Sequence, residues 1–334
     1  MSDQECQKQL LPGVSRTFAL TIPQLPHPLR EVVTNAYLLC RIADTIEDDV
    51  QLTPQQKEGF HEQFRLVLAA QASSKSFADS LSTHLAPATP SAERNLIIQI
   101  PAVIRCLRSF TSIQQASLQR CVNIMSTGMP EFQRTASLSG LKNLLEMDKY
   151  CYYVAGVVGE MLTELFCEYS PEMNQKKEQL MSLAVSFGQG LQMTNILKDY
   201  HEDRERGVCW LPRDIFEKYG INLETIKNDN SLELAQGFEE LVNIAGKHLR
   251  DAMEYTLLIP TSEVGIRRFT LWAIGLGVLT LRNIKKNPGF KSGAQVKISR
   301  KSVKATVLVS NVFCSSNKIL FSIFNLLSKD LIYE

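Results

Sequence analysis

Long stretches of this chain repeat apolar residues at helical spacing, and almost none show the alternation of a half-buried strand. The pattern predicts helices over residues 32–46, 91–110, 118–125, 141–166, 176–203, 232–257 and 264–284. Pro12, Pro23, Pro26 and Pro28 punctuate the first segment. Residues 71–92, rich in Ser, Ala and Pro, read as a loop, and residues 295–309 read as mixed because β-branched residues alternate with bases there. Neither a repeat nor a linker interrupts the series. The expected fold class is all-α: one domain over 1–334, a helical bundle whose apolar interior suits a long hydrocarbon.

Composition narrows this picture. Hydrophobic residues make up 44% of the 334, enough for a large core, and a net charge of +1 argues against a nucleic-acid partner. The charge is unevenly placed. Glu263 is the last acid before Asp330, and twelve bases lie between them, among them Arg267, Arg268, Lys285, Lys286, Lys297, Arg300 and Lys301. That stretch is expected to attract an anion, a phosphate or a lipid headgroup. None of the eight cysteines forms a CxxC pair; Cys40, Cys106 and Cys151 sit in apolar runs and read as buried thiols in a reducing compartment. No signal peptide opens the chain. The longest apolar run, residues 269–281, is shorter than the roughly twenty residues of a spanning helix. It reads as a buried helix in a soluble or peripheral cytoplasmic protein.

Two acidic stripes carry the candidate chemistry. Tyr37, Arg41, Asp44 and Asp48 step by four, three and four residues, which places them on one helix face. Carboxylates one turn apart repel unless a cation bridges them, and such hard oxygen ligands suit Mg2+, with Mn2+ as the alternative. A lone DxxxD is common, and Glu47, Asp48 and Asp49 read equally as a solvated helix end. Gln192, Asn195, Asp199 and Asp203 repeat the arrangement, with Arg206 one turn on. One metal or diphosphate site on each helix explains both stripes together. A third segment holds Tyr150, whose phenol can pass a proton or face a carbocation, and Gly156 and Gly159, which point to close approach by a helix or a ligand. Ser15, Arg16, Thr17 and Phe18 make a plausible anion site. The five histidines lack zinc spacing, and no Gly-rich phosphate loop is present.

The segments SRTF (15–18), YLLCRIADTIEDD (37–49), DKYCYYVAGVVG (148–159), LQMTNILKDYHED (191–203) and WLP (210–212), in this order, resemble the squalene/phytoene synthase family, and within it the squalene synthases. The similarity runs from about Ser15 to Asn287, with a weaker echo to about Leu308. It implies a single-domain isoprenoid-synthase fold with a central hydrophobic channel. It carries metal-linked roles to Asp44, Asp48, Asn195, Asp199 and Asp203, and substrate contacts to Ser15, Arg16, Phe18, Tyr37, Arg41, Gln192 and Arg206. It makes Tyr150 the essential tyrosine. The implied reaction joins two farnesyl diphosphates through presqualene diphosphate to squalene, with Mg2+ and NADPH. Lys297, Arg300 and Lys301, in a segment 288–334 expected to act as a mobile basic flap, are candidates for the NADPH phosphates.

Some residues depart from the family pattern. Lys198 stands where many relatives have Arg, and Tyr152 where many squalene synthases have His. The C-terminal anchoring helix of eukaryotic squalene synthases is missing, which points to a bacterial, soluble or peripheral enzyme; a monomer is expected. Three alternatives stay open: a dehydrosqualene or phytoene synthase, a presqualene diphosphate synthase, and a non-enzymatic helical lipid-binding or assembly protein. The intact DxxxD pairs argue against the last.

Overall fold

A computed structural model describes residues 2–15, 17–226 and 232–333. Arg16, one of the expected substrate contacts, lies outside the described residues. Among those described, every regular element is helical, and the one strand-like pairing is an isolated bridge between Leu141 and Pro212. The all-α expectation holds. The chain divides into two compact units, residues 1–135 with 164–169, and residues 136–163 with 170–334.

The first unit contains α1 (Asp3–Val14), α2 (Phe18–Thr21), α3 (His27–Asp48), α4 (Pro54–Leu68), α5 (Ser74–His84), α6 (Ser91–Ile98), α7 (Ile100–Ser109) and α8 (Ser112–Thr135). Its axis is α3, where Leu38, Leu39, Ile42, Ala43 and Ile46 are fully buried. Burial of each Leu or Ile side chain contributes about 1.5–3 kcal/mol, so this helix is fixed by its apolar face while its polar stripe stays available. Pro28 opens α3, where its missing N–H has no intrahelical partner to lose. Thr53 and Gln56 form a reciprocal cap on α4, and this sets the turn directly after the acidic end of α3.

Two expectations change in this unit. The 71–92 segment is not all loop, because α5 lies within it. Ser73 accepts from the Ser76 amide at 3.2 Å, and Phe77, Ala78 and Leu81 bury one face. The Ser-rich composition hid a short amphipathic helix. The predicted 91–110 helix is two helices, since Pro101 starts a new one after Gln99.

The second unit contains α9 (Leu144–Cys151), a π turn (Tyr152–Gly156), α10 (Val157–Tyr169), α11 (Pro171–Asn174), α12 (Lys177–Lys198), α13 (Tyr200–Glu205), α14 (Arg213–Glu217), α15 (Leu232–Leu258), α16 (Val264–Lys286), α17 (Gly293–Val296), α18 (Arg300–Phe313) and α19 (Asn317–Ser328); the last residues of α10, 164–169, belong to the first unit. The predicted 141–166 helix is therefore interrupted by a π turn, and the predicted 176–203 helix bends at Asp199. The register survives that bend, because Asp199 N donates to Asn195 O at 2.8 Å and Asp203 N to Asp199 O at 2.9 Å. The mixed reading of 295–309 gives way to helix. Ser299 caps α18 by accepting from Ser302 N at 3.0 Å, and Val303, Thr306, Val307 and Ser310 turn inward at helical spacing. α16 is long and apolar enough to cross a membrane, but 67% of its apolar window is buried inside the protein, as for a core helix. All eight cysteines are free and buried.

Candidate functional site

On α3 the first stripe is assembled as expected, and α1 and α2 bring the SRTF segment to it. Ser15 Oγ accepts from Phe18 N at 2.9 Å, which closes the turn between the helices. Tyr37 donates its hydroxyl proton to Val14 O at 3.0 Å, and its ring lies 5.2 Å from that of Phe18. Ser15, Phe18, Tyr37 and Arg41 thus share one neighbourhood. Burial, the largest influence, raises the Tyr37 phenol despite the hydroxyl of Ser15 and the charge of Arg41.

Arg41 is held by a residue that sequence reasoning did not single out. Its Nη2 donates to Glu93 on α6, its Nη1 stands 3.8 Å from Asp44 Oδ2, and its Nε is buried without a hydrogen-bond partner. Asp44 retains 29% exposure of its side chain. Burial raises its carboxyl to about 7; Arg41 pulls it down, while Asp48 and Glu93 add like charge. Such a carboxylate is destabilised in its charged form and would gain from a cation.

The three acids after Asp44 have separate fates. Asp48 is exposed. Glu47 is buried and raised to about 8, first by burial and then by Asp48 and Asp44; it accepts from Gln133 Nε2 at 3.1 Å. Asp49 is structural. Desolvation alone would raise it, but bonds from Ala86 N, Thr89 Oγ1, Gln51 N and Leu52 N together hold it below the usual carboxylate range. The helix end is therefore not simply solvated: two of its acids face inward and one faces water.

The second stripe runs along α12 into α13. Gln192 is half-buried and Asn195 exposed. Asp199 accepts from Lys198 Nζ at 2.7 Å, and Asp203, 6% exposed, pairs with Arg206. Both carboxylates have a cationic partner in direct contact, whereas Arg41 stands 3.8 Å from Asp44. The start of α17 abuts them. Gly293 N donates to Glu202 Oε1 at 2.9 Å, and a Cβ on Gly293 would come within 3.1 Å of Asp199 Oδ1. Phe290 packs on His201 and Phe238, which anchors this approach. Among the described residues, no three His, Cys, Asp or Glu gather into a metal cage. A carboxylate pair completed by water and phosphate oxygens is nevertheless the donor set that Mg2+ takes, so the residues present fit that ion.

Tyr150 is 4% exposed and stacks on Trp210, with ring centroids 4.2 Å apart and planes 10° apart. The WLP segment thus fixes the tyrosine plane. The π turn follows at once, and such insertions often mark functional positions. The glycines around it serve packing. A Cβ on Gly159 would lie 2.0 Å from Ala184 O, and one on Gly188 would lie 2.1 Å from Ala155 O. Only glycine lets α12 pass this close.

The basic tail is not one anion surface. Arg267 is fully buried and donates to Thr256 O, Ile259 O, Cys314 O and Asn317 Oδ1. Its charge rests on carbonyls at two helix ends rather than on a carboxylate. Lys285 pairs with Glu239 at 2.7 Å. Lys297, Arg300 and Lys301 remain exposed, at and just before the N-terminus of α18. Arg300 and Lys301 open a helix capped by Ser299, and Lys297 lies in the turn that precedes it.

The family model for squalene/phytoene synthase matches residues 11–302. Squalene synthase ERG9 of Gibberella zeae is 30% identical over 85% of this chain, and the chain spans 59% of that relative's length. A solved complex of TcSQS with the ligand BPH1237 superposes with a TM-score of 0.77 at 22% identity, covering 98% of this chain and 91% of the other. A dehydrosqualene synthase in complex with ligand gives 0.68 at 20% identity, with coverage of 94% and 97%. Those two likenesses concern the fold. This chain is a member of the squalene/phytoene synthase family. The curated relative is fungal, so the bacterial source expected from the tail finds no support in it.

Proposed function

We propose that this chain joins two farnesyl diphosphates head to head, through presqualene diphosphate, to squalene. It would act as one catalytic domain and as a monomer. The observation that carries the reading is the Arg41–Asp44 constellation. A guanidinium with donors to spare stands beside a carboxylate that burial makes costly to ionise. That combination gains from taking up a diphosphate and a divalent cation together. Asp44 and Asp48 would hold one cation; Asp199 and Asp203, with Asn195, would hold another.

When bound, Mg2+ supplies charge neutralisation to the leaving diphosphate, and NADPH supplies the closing hydride. The protein's own groups do the rest. Tyr37, Arg41, Ser15 and Phe18 receive one diphosphate and the head of its chain. Gln192 and Arg206 serve the second. Tyr150, held flat by Trp210, takes the proton lost as the cyclopropane closes. Lys297, Arg300 and Lys301, at a helix N-terminus that favours anions, would contact the cofactor phosphates. That the bases sit just beyond Gly293, which abuts Asp199, supports this placement.

The protein would work in the cytoplasm, peripherally at a membrane. α18 and α19 expose Leu308, Val312, Ile319, Phe321 and Leu326 beside Lys301, Lys304, Lys318 and Lys329, a composition suited to an anionic lipid surface.

The test is product analysis from labelled farnesyl diphosphate with Mg2+, with and without NADPH. Squalene with NADPH, and presqualene diphosphate or unsaturated products without it, are expected. Dehydrosqualene or phytoene in both cases would replace the squalene reading with its nearest alternative. No condensation product at all would favour a non-enzymatic lipid binder.

A further inference from the structure

We infer that Glu93 is a positioning residue that aims Arg41 at the diphosphate. The inference rests on the proposed function only in taking that diphosphate as the ligand of Arg41. Glu93 is on α6, 52 residues away in sequence, and its side chain is 14% exposed. An arginine side chain has several rotatable bonds and would sample many orientations in a half-open site. Here one end of its fork is pinned. Nη2 is committed to Glu93, and the Arg41 side chain keeps only 24% exposure.

The pinning is selective. Nη1 lies 3.8 Å from Asp44, beyond hydrogen-bond reach. Nε is buried and has no acceptor. Nη1 is thus left for an anion while Nη2 is held and Nε stays buried. A guanidinium with one carboxylate partner and unused donors is oriented for a phosphate oxygen before it arrives, which lowers the ordering cost of binding. Asp44 cannot do this in place of Glu93, because its 3.8 Å contact does not fix a direction.

Glu93 could instead be a placeholder that diphosphate must displace, or a further ligand for the cation. The three roles give different results. Binding of inorganic pyrophosphate in saturating Mg2+, measured by calorimetry, separates them without turnover. Positioning predicts that Glu93→Ala weakens binding by roughly tenfold to a hundredfold, the range of one charge-assisted hydrogen bond. Glu93→Gln, which keeps the acceptor oxygen, should retain most of the affinity. In the Arg41→Ala background, Glu93→Ala should add almost nothing, since it acts only through Arg41. Half-saturating Mg2+ at fixed high pyrophosphate should not move in Glu93→Gln.

Unchanged or tighter pyrophosphate binding by Glu93→Ala overturns the inference in favour of a placeholder. A raised Mg2+ requirement in Glu93→Gln overturns it in favour of a ligand. Additive losses in the double variant overturn it in favour of a merely structural role. If Arg41→Ala alone leaves pyrophosphate binding intact, the diphosphate reading of this site fails, and that result is independent of Glu93.

Discussion

In cation-free buffer at pH 8, Asp44→Asn removes a carboxylate that the folded protein holds charged at a cost. The carboxyl sits at about 7 against an ordinary value of 3.8, and a shift of about three units corresponds to about 4 kcal/mol of differential stability. Its side chain keeps 29% exposure, so water screens part of this, and a net gain of about 1–2 kcal/mol is expected for the variant. That is a rise of roughly 1.5–3 °C in unfolding temperature for a protein of 334 residues. The sign follows from linkage. With its pKa raised, the native state holds more protons than the unfolded state between about pH 4 and 7. Asp44 therefore costs stability increasingly as pH rises through that window, and the cost is complete above it. The advantage of the variant should fall to less than half at pH 5. Unfolding followed by circular dichroism in chelator at pH 5 and pH 8 measures this directly. Mg2+ with pyrophosphate should then stabilise the wild type more than the variant, which keeps only the Asp199–Asp203 site and should be inactive. A variant less stable than wild type at pH 8, or a difference that ignores pH, would refute the reasoning.

Four further outcomes are expected. Tyr150→Phe should block presqualene diphosphate formation while leaving pyrophosphate binding intact; normal formation of the intermediate would remove the hydroxyl from the chemistry. Arg267→Met should lower stability by about 3 kcal/mol or more, because several buried carbonyls lose their donor, and equilibrium denaturation measures it. Gly188→Ala should cost about 3 kcal/mol through overpacking, since the added methyl meets the backbone oxygen of Ala155 at 2.1 Å; a soluble variant of wild-type stability would contradict the close crossing. The protein should float with anionic vesicles at low salt and not with neutral ones, and no binding to anionic vesicles would retire the surface on α18 and α19.

The helical class is legible in the chain alone, because apolar spacing is local and needs no partner to be read. So are both acidic stripes, since residues three and four apart share a face whatever the helix packs against. Tertiary structure decided the rest. The bend at Asp199 keeps the i,i+4 register, so the pattern ran through it, and the π turn after Cys151 spans only five residues, too few for a periodicity to reveal. The helix α5 was hidden because Ser and Ala are poor signals of burial, and Phe77 and Leu81 need neighbours to count as a face. Arg267 looked like one more exposed base until the carbonyls of three segments closed around it. Which acid holds Arg41, and which ring holds Tyr150, depend on contacts across 52 and 60 residues of chain. Local spacing cannot encode such pairings, because they exist only once the apolar faces have fixed where each helix lies.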